Sequence, residues 1–291
     1  MKIKIPATSA NLGPGFDSCG IALNRYLEIT VKEATTAWVI EHTLGADIAT
    51  DQENLLIQTA LQLMPELPPH RIVMQSTIPL ARGLGSSSSV IVAGIELANQ
   101  LGKLQLSAQE KLNLATAIEG HPDNVAPAIL GQLAIASYEE DSDEVNVVNA
   151  SFPECGIVAY IPKHELLTKT SRSVLPETFS YKEAVKASAV ANVMLAALLT
   201  QDIALAAKMM AKDRFHESFR SQIIPELTEL KEVARENGAY GAFLSGAGPT
   251  VLFLTPTDKQ QRLMDSLHAY GKDRVTVEAL SIDRQGIQVI D

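Results

Sequence analysis

The segment from Pro79 to Ser89 has the composition of a loop that binds phosphate. It reads Pro79-Leu80-Ala81-Arg82-Gly83-Leu84-Gly85-Ser86-Ser87-Ser88-Ser89, and the apolar run from Val90 to Leu101 that follows predicts a helix. Two glycines let the backbone turn its N–H groups towards an anion, and the free N–H groups at a helix start favour negative charge. A Gly/Ser turn is often only a linker or a helix cap, but a linker would not run straight into a helix. We therefore expect this segment to bind phosphate.

The composition of the chain fits a soluble globular enzyme. The 291 residues are 46% hydrophobic and 20% charged, and the net charge is −10. Such a negative chain argues against nucleic acid or an anionic membrane as a partner. The two cysteines, Cys19 and Cys155, lack metal-type spacing and predict free thiols in a reducing compartment. With no apolar run of about 18 residues and no signal-like start, we expect a cytoplasmic protein.

The loop must be positioned by the helices and strands around it. The sequence has helix and strand patterns in both halves, and they predict an α+β protein. The first half has strand patterns at 2–5, 26–33, 71–76, 133–138 and 145–148, and helical patterns at 54–64 and 107–119. The acidic run 139–144 predicts a solvated hairpin turn. The second half has strand patterns at 155–162, 242–244, 251–254 and 275–280, a helix-rich stretch at 180–237, and a helix at 258–270. A boundary near Pro153 divides the chain into predicted domains 1–153 and 154–291.

Common nucleotide-binding motifs are missing from the sequence. The chain has no G-x-x-x-x-G-K-[S/T] and lacks the separate motif set of protein kinases. Three G-x-G steps occur, at Gly13/Gly15, Gly83/Gly85 and Gly246/Gly248, but none completes G-x-G-x-x-G. A P-loop enzyme and a dinucleotide-binding domain are therefore not expected.

Four segments together resemble the motifs of the galactokinase, homoserine kinase and mevalonate kinase superfamily of small-molecule kinases. In chain order they are Pro6-Ala-Thr-Ser-Ala-Asn-Leu-Gly-Pro-Gly-Phe-Asp-Ser-Cys-Gly20, the serine loop, Gly120-His-Pro-Asp-Asn-Val-Ala-Pro-Ala128 and Gly238-Ala-Tyr-Gly-Ala-Phe-Leu-Ser-Gly-Ala-Gly-Pro-Thr250. The first segment is most similar to its homoserine kinase form. Ser88 and Ser89 depart from the family loop, which commonly has small apolar residues there, but serine is small enough to fit.

The resemblance implies a fold and an activity. It implies an N-terminal ribosomal-S5-like α+β domain, a C-terminal ferredoxin-like α+β domain and a possible homodimer. It implies ATP and Mg²⁺ as cofactors, ATP bound by residues 79–89, and L-homoserine as the substrate phosphorylated. The resemblance also implies that Ser87 and Glu119 hold Mg²⁺, and oxygen ligands of this kind suit a hard cation.

The same resemblance assigns the substrate-binding residues, which are Asn11, Asp17, His121, Thr168, Arg172 and Arg220. The two arginines can pair with a carboxylate through a planar fork, and Asp17 would meet an ammonium group. Without the resemblance, the arginines would be interpreted as solvated surface residues, Asp17 as turn chemistry and His121 as a structural histidine.

Asn124 is the predicted catalytic residue, and it raises a mechanistic question. In several relatives an aspartate near the acceptor hydroxyl is a candidate base, whereas an asparagine cannot accept a proton at neutral pH. We therefore expect catalysis by alignment and charge neutralisation. The alternative is that Asp123 acts as the base.

Two competing functions are considered. One is a kinase of the same fold that acts on mevalonate or a sugar, and the other is a non-catalytic binding protein. The third glycine motif, 244–250, is expected to support the first loop.

Overall fold

The computed structural model describes residues 1–290, which form two β-sheets with helices packed against them. The strands are β1 (Lys2–Ala10), β2 (Cys19–Ala34), β3 (Val39–Glu41), β4 (His70–Ser76), β5 (Leu133–Glu139), β6 (Glu144–Ala150), β7 (Gly156–Pro162), β8 (Gly241–Leu244), β9 (Val251–Thr255), β10 (Val275–Leu280) and β11 (Gln288–Ile290). The helices are α1 (Leu55–Leu63), α2 (Ser86–Gly102), α3 (Ala108–Glu119), α4 (Pro122–Leu130), α5 (Thr168–Arg172), α6 (Tyr181–Leu199), α7 (Ile203–Met210), α8 (Glu217–Arg220), α9 (Glu226–Glu236) and α10 (Gln260–Gly271).

The first sheet is organised around the long strand β2. Its strand order is β11-β1-β2-β4-β3, with β5 also pairing with β2 and β6 pairing with β5. The register between β1 and β2 shifts between Pro6 and Ala7. An irregularity is a natural place for a proline, which cannot donate a ladder hydrogen bond. Beyond the shift, β1 continues antiparallel to β2 from Ala7 to Ala10 and delivers the first glycine segment to the site.

The second sheet has the ferredoxin-like arrangement that the resemblance implied. Its four strands run in the order β10-β7-β9-β8, all antiparallel, with α5 to α9 between β7 and β8 and α10 between β9 and β10. All seven residues of β7 are buried, because both faces of this strand are covered. Ile157, Ala159 and Ile161 belong to the core shared with the first sheet, whereas Val158 and Tyr160 belong to the core under α9 and α10.

Helix α2 fixes the phosphate loop against the first sheet. It contacts α1, α3, α4 and β1, and its buried side chains include Ile91, Val92, Ile95 and Leu97. Full burial of one such side chain stabilises the fold by about 1.5–3 kcal/mol. The helix begins at Ser86, before the apolar run 90–101, so the serines form its first turn.

Two local predictions are confirmed, and one strand from the last residues of the chain pairs with the first sheet. Ser107 and Glu110 form both bonds of the capping box at the start of α3, and 139–144 turns between β5 and β6. The last strand, β11, does not stay with residues 154–291 but pairs with β1, placing Ile290 opposite Lys2. The edge of β1 therefore gains a partner from the far end of the chain. Within residues 1–290 no helix is both long and apolar enough to cross a membrane.

Candidate active site

A cavity of about 270 Å³ lies where the four glycine-bearing and polar segments meet. Of the predicted site residues, it brings together Asn11, Asp17, Ala81, Gly83, Gly85, Ser86, Ser87, Ser88, Glu119, His121, Asn124, Thr168, Arg172 and Arg220. The chain contributes them from the end of β1, the start of α2, the junction of α3 and α4, and the helices α5 and α8. Residues far apart in sequence therefore surround one space large enough for small polar groups.

The turn before α2 is built for close approach of an anion. Gly83 and Gly85 have φ of +73° and +70°, in the left-handed region that favours glycine. A Cβ at Gly83 would lie 2.2 Å from the carbonyl oxygen of Ser245. The first N–H groups of α2, those of Ser86 to Ser88, have no partner within the helix. No side chain of the N-cap residue bonds them either. These groups lie at the positive end of a helix of 17 residues.

Five residues of the predicted ATP loop do not line the cavity: Pro79, Leu80, Arg82, Leu84 and Ser89. The Arg82 guanidinium instead donates to the carbonyl oxygen of Pro162 at 3.0 Å and holds the end of β7. Leu84 lies in the core, and the buried Ser89 hydroxyl donates to the carbonyl oxygen of Ser86 at 2.9 Å. Their side chains therefore support the turn rather than face the cavity.

Glu119 is the last residue of α3 and faces the N-terminus of α2. Burial raises its pKa, although the hydrogen bond that it accepts from the Ser88 hydroxyl, at 2.9 Å, opposes the rise. A carboxylate at a helix C-terminus also meets the negative end of the helix dipole. Ser87, the other predicted metal ligand, lies exposed at the same cavity, and it is Ser88 that bonds Glu119. Hydroxyl and carboxylate oxygens here suit a divalent cation.

The start of α4 presents three polar side chains in a connected network. His121 Nδ1 lies 2.7 Å from Asp123 Oδ1, and Asn124 Nδ2 donates to the same oxygen at 3.3 Å. Burial lowers the pKa of His121, but the hydrogen bond and charge of Asp123 outweigh it, and the pKa is raised. The Thr8 hydroxyl donates to Asn124 Oδ1 at 2.8 Å. Asn124 is thereby held between β1 and Asp123.

Asp17 and Arg172 form a two-pronged ion pair across the cavity. Arg172 donates from both terminal nitrogens, at 3.0 and 2.6 Å, to the two carboxylate oxygens of Asp17. The hydrogen bond that Arg172 donates to Asp17 raises the pKa of Arg172 further. The guanidinium also lies 5.5 Å from the centre of the Phe16 ring. The two residues predicted to bind the charged groups of the substrate are therefore paired with each other. In a complex, the ammonium of a zwitterion would pair with Asp17 and its carboxylate with Arg172.

Arg220 is 2% exposed, and its guanidinium is held by hydrogen bonds to neighbouring protein groups. It donates to the carbonyl oxygens of Ser171, at 3.2 Å, and Gly246, at 2.9 Å, and its Nη1 lies 3.0 Å from His216 Nδ1. Burial lowers the pKa of His216, so this ring is neutral and accepts from Arg220. Burial, followed by the charge of Arg172, lowers the pKa of Arg220 to about 10.

The third glycine motif supports the first glycine segment, as predicted, and also contacts the turn before α2. Asn11 Nδ2 donates to the carbonyl oxygen of Gly246 at 3.1 Å, and its Oδ1 accepts from the backbone of Asp17 at 3.0 Å. The Ser245 hydroxyl lies 2.6 Å from the carbonyl oxygen of Gly83 and 2.7 Å from Ser9. Asn11 therefore orients Asp17 and anchors the loop.

Sequence reasoning missed several residues at this site. Leu166, Leu167, Gly246 and Ala247 line the cavity, and Thr8 and His216 hold residues that do. The spacing His216-x-x-x-Arg220 places both side chains on one helical face, and this signal could have revealed the pair. Nothing local in the sequence connects Thr8 with Asn124.

The fold and the site define a small-molecule kinase of the GHMP class. The model for "GHMP kinases N terminal domain" matches residues 54–132, and the model for "GHMP kinases C terminal" matches residues 194–273. The chain belongs to the homoserine kinase family within this class. It is 56% identical to the homoserine kinase of Enterococcus faecalis over 289 residues, which cover 99% of this chain and 100% of that relative.

Other relatives agree with this placement. The homoserine kinase of Streptococcus thermophilus is 55% identical over 99% of this chain and 100% of that relative. The crystal structure of homoserine kinase from Cytophaga hutchinsonii has a TM-score of 0.86 at 26% identity, covering 100% of this chain and 97% of that chain. The mevalonate kinase of L. major, solved with R-mevalonate, has a TM-score of 0.74 at 16% identity over 98% and 96% of the two chains. This last likeness concerns the fold alone.

Proposed function

We propose that this protein transfers a phosphoryl group from ATP to the hydroxyl of L-homoserine, giving O-phospho-L-homoserine for threonine biosynthesis. The observation that carries the proposal is the Asp17–Arg172 pair beside a free helix N-terminus in one cavity. The pair offers one partner for a carboxylate and one for an ammonium group. A substrate with both charges and a hydroxyl matches this arrangement better than mevalonate, which has no ammonium, or a sugar, which has neither.

The N-terminus of α2 is the proposed phosphate site for ATP. Its unpartnered N–H groups, the two left-handed glycines and the helix dipole all favour an anion at this position. Phosphoryl transfer requires the protein mainly to align donor and acceptor and to neutralise charge.

Glu119 and Ser87 would hold Mg²⁺ beside the phosphates. The donor set fits, because a hydroxyl and a carboxylate leave room for phosphate oxygens and waters around an octahedral cation. Glu119 is also a carboxylate whose burial raises its pKa and which has no protein cation within salt-bridge distance in residues 1–290. When bound, the cation would supply charge neutralisation on the transferring phosphoryl group.

Arg172 and Arg220 would bind the substrate carboxylate, and Asp17 its ammonium group, with Asn11, His121 and Thr168 completing the pocket. Arg172 is half-buried and its guanidinium bonds one residue, Asp17, whereas the guanidinium of Arg220 is held by three hydrogen-bond partners. We therefore expect Arg172 to leave Asp17 and bind the substrate carboxylate. Arg220 would remain in place and contribute a fixed positive charge next to it.

Asn124 is the proposed catalytic residue, and it acts by hydrogen bonding to the reacting oxygens. A loose transition state needs little removal of the hydroxyl proton before transfer. Asp123 also borders the cavity, but it is a poor candidate for the base, because its side chain is 2% exposed and its Oδ1 is already bonded to His121 and Asn124. Asp123 instead orients His121 and Asn124.

Replacing Asp123 with asparagine is therefore expected to preserve the shape of the pH–rate profile. The carboxamide oxygen can still accept from His121, so we expect turnover to fall by less than about tenfold, below the 10²–10⁴ typical of a lost general base. The measurement is kcat for Asp123→Asn and the unmodified enzyme between about pH 4 and 9, a range that reaches the ordinary pKa of a carboxylate. A loss of about a hundredfold or more, with the acidic limb of the profile gone, would make Asp123 the base.

The function itself is tested by ADP release from Mg-ATP with L-homoserine, mevalonate, galactose, L-serine and L-threonine offered separately. Turnover with L-homoserine alone supports the proposal. Turnover with mevalonate or galactose instead would retain the phosphate site and overturn the substrate residues. No turnover with any acceptor would favour a non-catalytic binding protein.

A further inference from the structure

Thr8 connects the first strand to two parts of the site without facing the cavity itself. It is 1% exposed, and its hydroxyl donates to Asn124 Oδ1 at 2.8 Å across 116 residues of sequence. Its backbone N–H donates to the carbonyl oxygen of Leu84 at 3.2 Å, in the phosphate loop. A Cβ placed at Gly85 would lie 2.0 Å from the Thr8 hydroxyl. Thr8 is therefore in van der Waals contact with the turn that would hold the phosphates and hydrogen-bonded to the residue beside the acceptor.

The hydrogen bond decides which end of the Asn124 carboxamide is available. With Oδ1 accepting from Thr8 and one Nδ2 hydrogen directed to Asp123 at 3.3 Å, the remaining N–H is the free polar group. Asn124 lines the cavity, so this donor is available to an oxygen of phosphate or of the acceptor hydroxyl. A carboxamide turned the other way would place its oxygen against the Asp123 carboxylate, which repels it.

We propose that Thr8 is a positioning residue for phosphoryl transfer. Its hydroxyl holds the Asn124 carboxamide at a fixed distance from the phosphate loop, so that one N–H faces the reacting oxygens. This inference rests on the proposed function, because it assigns Thr8 a role through Asn124. A threonine buried in a strand only for packing would need its methyl group and not its hydroxyl.

The test uses Thr8→Val, which removes the hydroxyl at nearly constant shape, and Thr8→Ser, which keeps it. We expect Thr8→Val to lower kcat about fivefold to tenfold, the loss of one neutral hydrogen bond, with both KM values changed less than about twofold. Thr8→Ser should restore kcat to within about twofold of the unmodified enzyme. If Thr8→Val does not fold, Thr8→Ala removes the same hydroxyl without adding a methyl to the site.

A double-mutant cycle separates positioning from packing. In the Asn124→Ala background, Thr8→Val should have no further effect on kcat beyond about twofold, because the residue through which it acts is gone. Losses that simply add, or a Thr8→Ser variant as impaired as Thr8→Val, would overturn the inference. If the unmodified enzyme shows no turnover of L-homoserine, the proposed function fails and this inference falls with it. Turnover by the unmodified enzyme with additive losses would reject only the role of Thr8.

Discussion

Replacing Glu119 with glutamine should lower turnover of L-homoserine about a thousandfold while leaving the protein at least as stable as before. Glutamine keeps the shape of the side chain, and its carboxamide oxygen can still accept the hydrogen bond from Ser88. It loses the negative charge that would hold Mg²⁺. The fall in turnover therefore comes from the loss of charge neutralisation at the phosphates and not from a disturbed fold.

The difference in stability between Glu119→Gln and the unmodified protein should depend on pH in a defined direction. Burial raises the pKa of Glu119 above its ordinary value of 4.5, so the folded protein disfavours the ionised form. The contribution of Glu119 to stability is fully present below the unfolded pKa and is lost as pH rises through the folded pKa. Glutamine does not titrate. The free energy of unfolding of Glu119→Gln should thus gain on that of the unmodified protein as pH rises above about 4.5 towards neutrality.

Thermal unfolding and steady-state kinetics measured together check both parts. Glu232→Gln is a matched control, since Glu232 is an exposed surface residue paired with Arg235. It should leave turnover unchanged. If Glu119→Gln kept turnover within about tenfold of the unmodified enzyme, Glu119 would not be a metal ligand.

Replacing Arg172 with alanine should lower kcat/KM for L-homoserine about a hundredfold. The substrate carboxylate would lose both charge-assisted hydrogen bonds of the guanidinium fork. In the free protein, Asp17 would lose its partner, but this pair is about one-third exposed and contributes no more than about 1 kcal/mol to stability. The KM for ATP should change little, because the phosphate site is built from α2.

Arg172→Lys distinguishes charge from geometry. A lysine restores the positive charge but not the two parallel donors, so we expect only partial recovery of kcat/KM. Arg235→Ala, at a surface pair, is the control and should behave as the unmodified enzyme. An Arg172→Ala variant with an unchanged KM for L-homoserine and a raised KM for ATP would move this residue from the substrate to the nucleotide.

The sequence predicted the Gly/Ser turn and the helix that follows it because the signal is local. Two glycines, four serines and an apolar run are adjacent, and the physics of a helix N-terminus needs nothing else. The capping box at Ser107 and the acidic turn at 139–144 were predicted for the same reason. Even here, the pattern did not show that Arg82 and Leu84 turn away from the cavity, since this depends on β7 and on the core.

Contacts between distant segments could not be predicted from local pattern. Asp17 pairs with Arg172 across 155 residues, and Asn11 bonds Gly246 across 235. The resemblance assigned Asp17 and Arg172 to a common substrate, but it did not indicate that they would bond each other. The short β11 likewise returns to β1 because an open strand edge accepts any chain of compatible register, which three residues do not reveal.

The central claim is that the protein phosphorylates a zwitterionic hydroxy amino acid in this cavity. Comparing kcat/KM for three acceptors tests it most directly. L-homoserine carries both charged groups, whereas 4-hydroxybutanoate lacks the ammonium and 3-aminopropan-1-ol lacks the carboxylate. We expect each analogue to be at least about a hundredfold poorer, because it leaves Asp17 or Arg172 without its ligand partner. Phosphorylation of either analogue within about threefold of L-homoserine would contradict the account, since the site would then not depend on both charges.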